Sequence, residues 1–223
     1  MTKTRFPASA ILPAAAVGSG GSGQLPPELA RLAGGEPETL ARLGGLLLAA
    51  AGRDGLVDVA YRVVDSPVGP LLLAGTDVGL VRIAFAIEGH DAVLESLAAT
   101  ISPRVLRAPA RLDAAARELD EYFGGSRHAF DLPLDLRLAN GFRREVLAHL
   151  PEIGYGHTAS YAAVAALTSS PRAVRAVGTA CARNPLPLVV PCHRVVRSDG
   201  GRGSYLGGTA AKALLLDLEA AAE

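Results

Sequence analysis

The sequence contains few cysteines and no long uninterrupted apolar run. Only two cysteines, Cys181 and Cys192, occur in 223 residues. Two thiols cannot form a four-thiolate zinc site or a disulfide framework, and they suggest a reducing compartment. The longest apolar stretches, such as residues 46–51, are far shorter than the roughly 20 residues that cross a bilayer. We therefore expect a cytoplasmic protein with no membrane-spanning segment and no metal.

The net charge of zero conceals an uneven distribution along the chain. From Leu136 onward ten basic residues accompany six acidic ones, a surplus of four that the remainder of the chain balances. A partner with a phosphate backbone would be drawn to this C-terminal part. A surplus of this size also fits ordinary solvated faces, so charge alone leaves both interpretations open.

Changes in composition divide the chain into three segments. Residues 1–56 include a Gly/Ser-rich stretch at 18–23, and we interpret them as a flexible, partly helical N-terminal extension. In residues 57–135, three short runs of alternating or β-branched residues are separated by compact turns, which predicts an antiparallel meander. Helical patterns follow near residues 90–101 and 110–123. The second segment is therefore predicted to be an α/β domain.

The third segment, residues 136–223, is predicted to be mainly helical at its start. Asn140 is a candidate cap for a helix that ends at about residue 150. A second helix is predicted over residues 160–167, and a third over residues 171–182 with Ser170 as its cap and Pro171 at its first position. Two short helices joined by a tight turn are typical of a helix-turn-helix, although they also occur as plain packing hairpins.

The segment Pro191-Cys192-His193-Arg194 follows an apolar, strand-like run. A cysteine is an effective nucleophile only as the thiolate, and an adjacent His or Arg can lower its pKa from about 8.5. Buried cysteines are often inert, however, and Cys and His also bind metals. A cysteine hydrolase using Cys192 and His193 is a further alternative, but no recognisable partner set accompanies it.

The wider pattern narrows these alternatives. Residues 184–196, which read Asn-Pro-Leu-Pro-Leu-Val-Val-Pro-Cys-His-Arg-Val-Val, closely resemble the active-site segment of the O6-alkylguanine-DNA alkyltransferases. The resemblance extends to further positions with fixed spacing, namely Ser160, Tyr161, Arg175 to Gly178, Tyr205 to Gly208, Lys212 and Glu219. It implies an α+β protein: a ribonuclease H-like small antiparallel sheet with helices, then a winged-helix-like (helix-turn-helix) domain that binds DNA and catalyses.

The same resemblance implies the reaction. An alkyl group would pass irreversibly and stoichiometrically from O6-alkylguanine in double-stranded DNA to Cys192, with O4-alkylthymine as a second candidate lesion. No cofactor is needed, and the protein is expected to act as a monomer. The alternative is a DNA-damage-binding or regulatory protein of the same fold that transfers no alkyl group efficiently.

The resemblance also implies the catalytic roles. Cys192 is the nucleophile, and His193 acts on it through a bound water while Glu219 orients the imidazole. Tyr161 donates a proton or hydrogen bond to the leaving base and helps to rotate the nucleotide. Asn184 orders the loop and the network around the thiol. The first domain is expected to carry no catalytic residue.

Further residues are implied to contact DNA or the extruded base. Arg175 would enter the duplex in place of the flipped nucleotide, and Ser160, Ala176 and Gly178 would contact the DNA surface. The base pocket would be formed by Val195, Tyr205, Leu206 and Gly207. Leu206 stands where many relatives have a small residue, and we expect it either to narrow the pocket or to alter the tolerance for bulky alkyl groups. Cys181 is interpreted as a packing residue.

Overall fold

A computed structural model describes residues 57–221, together with Arg42. The extension predicted over residues 1–56 otherwise lies outside the described part of the chain. Within that part, no helix is both long enough and apolar enough to cross a membrane.

A four-stranded sheet forms the first half of the described chain. Its strands are β1 (Val59–Val64), β2 (Leu71–Gly75), β3 (Leu80–Phe85) and β4 (Val105–Arg107), in the spatial order β3-β2-β1-β4. The first three strands pair antiparallel and confirm the predicted meander. Strand β4 pairs parallel with β1 and was missed, because three residues are too few to show a periodic pattern.

Two helices accompany this sheet, as predicted. Helix α1 spans His90–Thr100, and α2 spans Asp113–Phe123 after a 3₁₀ turn at Pro109–Leu112. The buried face of α2 includes Leu119 and Tyr122. Both residues belong to a hydrophobic core that continues into the second half of the chain.

Four helices follow in the second half. They are α3 (Gly141–His149), α4 (Tyr161–Ala166), α5 (Val174–Ala182) and α6 (Gly208–Ala220). Asn140 occupies the position before α3 with an extended backbone, but its side chain makes no capping hydrogen bond. The prediction that Asn140 begins the helix is therefore right in position and wrong in mechanism.

Helix α5 begins later than predicted. Residues 170–173 form a separate turn, closed by the Ala173 N–H donating to the Ser170 carbonyl at 2.9 Å. The Val177 N–H then donates to the Ala173 carbonyl, so the helix proper starts at Val174. Pro171 thus lies in the connecting turn and not at the first position of the helix.

A small second sheet joins the start of α4 to the segment after Cys192. Strands β5 (Ala159–Ser160) and β6 (Val195–Val196) pair in parallel over two residues each. Because Tyr161 directly follows β5 and the Cys192–Arg194 turn directly precedes β6, this pairing brings the two segments to one place.

Candidate active site

Cys192 begins a 3₁₀ turn that spans Cys192–Arg194. The residue is 2% exposed, and its N–H donates to the Val190 carbonyl at 2.8 Å. The preceding loop contains Leu188, whose φ of 75° lies in the left-handed region. Residues other than glycine rarely adopt this backbone conformation, so the surrounding contacts must hold the loop in place.

Asn184 supplies contacts of this kind. Its amide Nδ2 donates to the Val190 carbonyl at 2.8 Å, and its Oδ1 accepts from the Leu186 N–H at 3.0 Å. The side chain is fully buried, so both ends of the amide are engaged inside the protein. Asn184 therefore ties the end of α5 to the loop that presents Cys192.

Cys192 lines an open cavity of about 550 Å³. This volume lies within the range of about 300–1,000 Å³ that is usual for small-molecule sites. The walls come from α4, from α5, from the Cys192 turn and from the loop that precedes α6. The lining residues are Tyr161, Val174, Arg175, Gly178, Thr179, Cys181, Ala182, Cys192, Arg197, Gly203, Ser204, Tyr205 and Leu206.

Behind this cavity lies a buried polar relay, formed by His193 and Glu219. The His193 Nε2 and Glu219 Oε1 atoms are 2.8 Å apart, and both side chains are essentially inaccessible to solvent. Arg194 closes the other side of the carboxylate, with its Nε donating to Oε2 at 2.9 Å and its Nη2 donating to Oε1 at 3.0 Å. Helix α6 thus delivers Glu219 to the two residues that follow Cys192.

The electrostatics of the relay define the protonation of His193. Burial alone would raise the pKa of Glu219, but hydrogen bonds from His193 and Arg194 outweigh it and lower the pKa to about 2. Burial lowers the pKa of His193, and contact with Glu219 opposes this. A neutral imidazole that donates from Nε2 to an ionised carboxylate has its lone pair on Nδ1. The Nδ1 atom is buried and has no partner among the described residues, so it is free to accept a proton.

The thiol of Cys192 differs from the sequence-based expectation. Burial raises its pKa to about 11, against the opposing effects of the Asn184 amide and the Lys212 ammonium. The expected lowering by His193 and Arg194 is wrong, because burial keeps His193 neutral and Glu219 engages the Arg194 guanidinium. The resting sulfur is therefore a protonated thiol.

The sequence predicted no role for Lys212, which appeared only as one position of the family-like pattern. Its Nζ is buried and donates to the Val195 carbonyl at 2.6 Å. Burial lowers the pKa of this ammonium, while the nearby Cys192 raises it. Lys212 thus places a positive group behind the strand that follows the thiol.

The four residues predicted for the base pocket divide into two pairs. Tyr205 and Leu206 line the cavity, whereas Val195 and Gly207 do not. Gly207 instead lies against Phe85, where an added Cβ would approach ring carbons to 2.7 Å. The need for glycine at this position therefore arises from packing between the two halves of the chain. Tyr205 packs edge-on against the same ring, with 5.5 Å between the ring centroids.

Tyr161 lines the cavity and is half-buried at the start of α4. Burial, and then the two nearby cysteines, raise the pKa of its phenol. A phenol in this state stays protonated at neutral pH and can donate a hydrogen bond into the cavity.

The predicted DNA contacts lie on the side of the cavity formed by α4 and α5. Arg175 and Ala176 are exposed on α5, and Gly178 is partly exposed. Ser160 precedes α4, and its Oγ accepts the Ala163 N–H at 3.0 Å as a helix cap. The contact of these four residues with DNA stays a prediction.

Two observations concern metals and thiols. Within residues 57–221, no group of three or more His, Cys, Asp or Glu side chains is arranged to hold a metal ion. Cys181 and Cys192 are both buried free thiols.

Two family models cover most of the described chain. Residues 59–136 match the ribonuclease-like domain of 6-O-methylguanine DNA methyltransferase, and residues 141–221 match its DNA-binding domain. The α+β architecture agrees with these two domains in kind and in order along the chain.

Curated relatives and solved structures agree with the family models. The methylated-DNA–protein-cysteine methyltransferase of Methanosarcina barkeri is 38% identical over 71% of this chain and 96% of its own length. The constitutive enzyme of Bacillus subtilis is 37% identical over 71% of this chain and 94% of its own. The Mycobacterium tuberculosis O6-methylguanine methyltransferase superimposes with a TM-score of 0.62 at 37% identity, covering 74% of this chain and 94% of that one. The OGT of the same organism in complex with DNA gives 0.63 at 35% identity, with 73% and 94% covered.

Proposed function

The chain belongs to the 6-O-methylguanine DNA methyltransferase family, whose members repair DNA by alkyl transfer to a cysteine, and we propose that Cys192 is the acceptor. The proposed substrate is O6-alkylguanine in double-stranded DNA, with O4-alkylthymine as a second candidate lesion. The observation that carries this proposal is the position of Cys192, which lines an open cavity and is followed directly in the chain by His193 of the buried His193–Glu219 pair.

The first step in the proposed reaction is activation of the thiol. With a pKa of about 11, the sulfur is protonated at neutral pH and needs a base. The Nδ1 atom of His193 is the candidate base, reached through a bound water as the family resemblance implies. Glu219 stabilises the imidazolium that forms when His193 accepts the proton.

The second step is displacement at carbon. The thiolate of Cys192 forms a new sulfur–carbon bond as the carbon–oxygen bond to guanine O6 breaks, so the bonding electrons leave with the base. The base then takes up a proton, and Tyr161 is the proposed donor of a proton or hydrogen bond. The resulting thioether has no easy route back to a thiolate, so each molecule acts once.

The base must leave the duplex to reach Cys192, since the thiol is nearly inaccessible. We propose that Arg175 fills the space left in the stack, because a planar guanidinium can stack between bases. Its exposure on α5, at the edge of the cavity, supports this role. Ser160, Ala176 and Gly178 are proposed to contact the DNA surface beside it, and the protein is proposed to act as a monomer.

The test is the mass of the intact protein after incubation with a duplex that carries one O6-methylguanine. We expect a gain of one methyl group per protein and no more, mapped by peptide analysis to Cys192. Cys181 is the internal control, because it is a second buried thiol that lines the same cavity. The Cys192→Ala variant should bind the lesion without gaining mass.

Two results would contradict the proposal. Methylation at Cys181, or at any residue other than Cys192, would show that Cys192 is not the methyl acceptor. Tight binding to the lesion with no gain of mass in the wild-type protein would instead favour a damage-binding protein of the same fold.

A further inference from the structure

A tyrosine of the first half of the chain reaches the buried relay. Tyr122 lies on α2, is fully buried, and donates its hydroxyl to Glu219 Oε1 at 2.7 Å. The two residues are separated by 97 positions in sequence. Among the described residues, Tyr122 is the only one from the ribonuclease-like half that hydrogen-bonds to Glu219.

The oxygen that Tyr122 contacts is the one on which His193 depends. Glu219 Oε1 accepts from the Tyr122 hydroxyl, from His193 Nε2 at 2.8 Å and from Arg194 Nη2 at 3.0 Å. Three donors converging on one carboxylate oxygen restrict its rotation. The direction of the His193 ring follows from the position of this oxygen, because Nε2 has no other partner among the described residues.

The hydroxyl of Tyr122 is itself held firmly. Its ring packs against Phe123 and Phe130 at 5.3 Å between centroids, and against Tyr155 at 6.0 Å. Burial, together with the negative charge of Glu219, raises the pKa of the phenol far above its ordinary value. The hydroxyl is therefore always protonated and always a donor at physiological pH.

We infer that Tyr122 is a positioning residue for alkyl transfer, which fixes Glu219 Oε1 and thereby orients and tunes His193. The inference rests on the proposed function, since it assumes that His193 activates Cys192. It gives the ribonuclease-like half a part in the reaction without contact with the substrate. The ordinary alternative is that Tyr122 only fills the core between the two halves.

A change in the charge state of His193 distinguishes these alternatives. A carboxylate that loses one donor has more negative charge available to its remaining partners, so it stabilises the imidazolium better and raises the pKa of His193. The loss of activity at low pH should then move to higher pH. The titratable and charged groups that face the relay are Tyr122 from α2, Tyr155 from the loop after α3, Cys192 and Arg194 from the 3₁₀ turn, Tyr205 from the loop before α6, and Lys212 and Glu219 from α6.

The experiment compares Tyr122→Phe with Tyr155→Phe. Both changes remove one buried hydroxyl from the same aromatic cluster, but the Tyr155 hydroxyl has no hydrogen-bond partner among the described residues. The rate constant for methyl transfer is measured at saturating O6-methylguanine duplex as a function of pH, and the affinity for the duplex is measured separately on a Cys192→Ala background. For Tyr122→Phe we expect an unchanged affinity for the duplex and a transfer rate constant about tenfold lower, as for loss of one hydrogen bond to a charged group. We also expect the loss of activity at low pH to occur at a higher pH than in the wild-type protein. For Tyr155→Phe we expect the wild-type rate and profile.

A double-mutant cycle with Glu219→Gln then tests the route of the effect. If Tyr122 acts through Glu219, removing its hydroxyl should change little once the carboxylate is gone. A Tyr122→Phe protein with the wild-type pH profile, or an equal loss of rate in Tyr155→Phe, would overturn the inference. Absence of transfer in the wild-type protein would overturn the proposed function instead, so the two failures are distinguishable.

Discussion

Two sides of the cavity differ in how their polar groups are used. On one side, Cys192 is backed by His193, Arg194 and Glu219, which are buried and joined by hydrogen bonds. On the other side, α5 presents Arg175 to solvent. In the proposed mechanism the buried side is preorganised for proton transfer, because its charges need no solvent rearrangement. The exposed side keeps its cation available for an anionic partner.

The largest effect should follow from breaking the buried side. In Glu219→Gln, the guanidinium of Arg194 loses its charge partner and His193 loses the anion that stabilises its protonated form. We expect the transfer rate constant to fall at least about a hundredfold, as for loss of an effective general base. The free energy of unfolding should decrease by about 3 kcal/mol or more, since a buried cation is left uncompensated. Single-turnover kinetics and urea unfolding measure the two effects.

The pH dependence of stability sharpens this test. The pKa of Glu219 is lowered from 4.5 to about 2 in the folded protein. A lowered pKa means that ionised Glu219 stabilises the fold above pH 4.5, and that this contribution is lost as the pH falls towards 2. The wild-type protein should therefore lose stability over this interval by more than Glu219→Gln does. Equal slopes in the two proteins would contradict the account of the relay.

The second prediction concerns the resting thiol on the buried side. Because the pKa of Cys192 is about 11, its alkylation by iodoacetamide should accelerate about tenfold per pH unit between about pH 7 and about pH 9. Peptide mapping separates this signal from that of Cys181, whose pKa is raised to about 12. A plateau near neutral pH would mean that the thiolate already exists in the free protein.

The third prediction addresses the exposed side. Arg175→Ala should lower transfer by about tenfold at subsaturating duplex, because extrusion of the base then lacks a group to fill the stack. Its stability and the reactivity of Cys192 toward iodoacetamide should not change. Arg172→Ala is the matched control, since Arg172 is exposed nearby but does not line the cavity. An equal loss of transfer in both variants would mean that Arg175 contributes only a positive charge that attracts DNA.

The smallest effect is expected at the second thiol. Cys181→Ala removes one buried sulfur from α5, which should cost about 1 kcal/mol of stability. Transfer to Cys192 should change less than about twofold, because Cys181 has no base beside it comparable to the relay. A large loss of transfer would show that Cys181 does more than pack.

Local patterns in the sequence account for much of the fold. Alternation in residues 59–64 and compact turns predicted the meander, and the spacing of apolar residues predicted α2, because both signals are short-range. Strand β4 was missed, and the start of α5 was predicted too early. In the latter case Pro171 suits the first position of a helix, but it suits a turn equally well.

The candidate site was predicted in part. Tyr161, Arg175, Tyr205 and Leu206 line one cavity with Cys192, whereas Val195 and Gly207 lie outside its lining. The sequence predicted a lowered pKa for Cys192, whereas burial raises it. Adjacency in sequence does not indicate where a neighbouring side chain points. Lys212 donates to the Val195 carbonyl, and Arg194 donates to Glu219. Nothing in the sequence predicts either contact, although these residues belong to the pattern that resembles the family.

By itself the sequence determined the family, the order of the two domains and the position of the cysteine within a long fixed pattern. Only the tertiary structure decided the protonation of that thiol, the packing of Gly207 on Phe85 and the bond from Tyr122 to Glu219. The physical reason is that local conformation depends on neighbours along the chain, whereas burial and charge depend on residues that folding brings together from far apart.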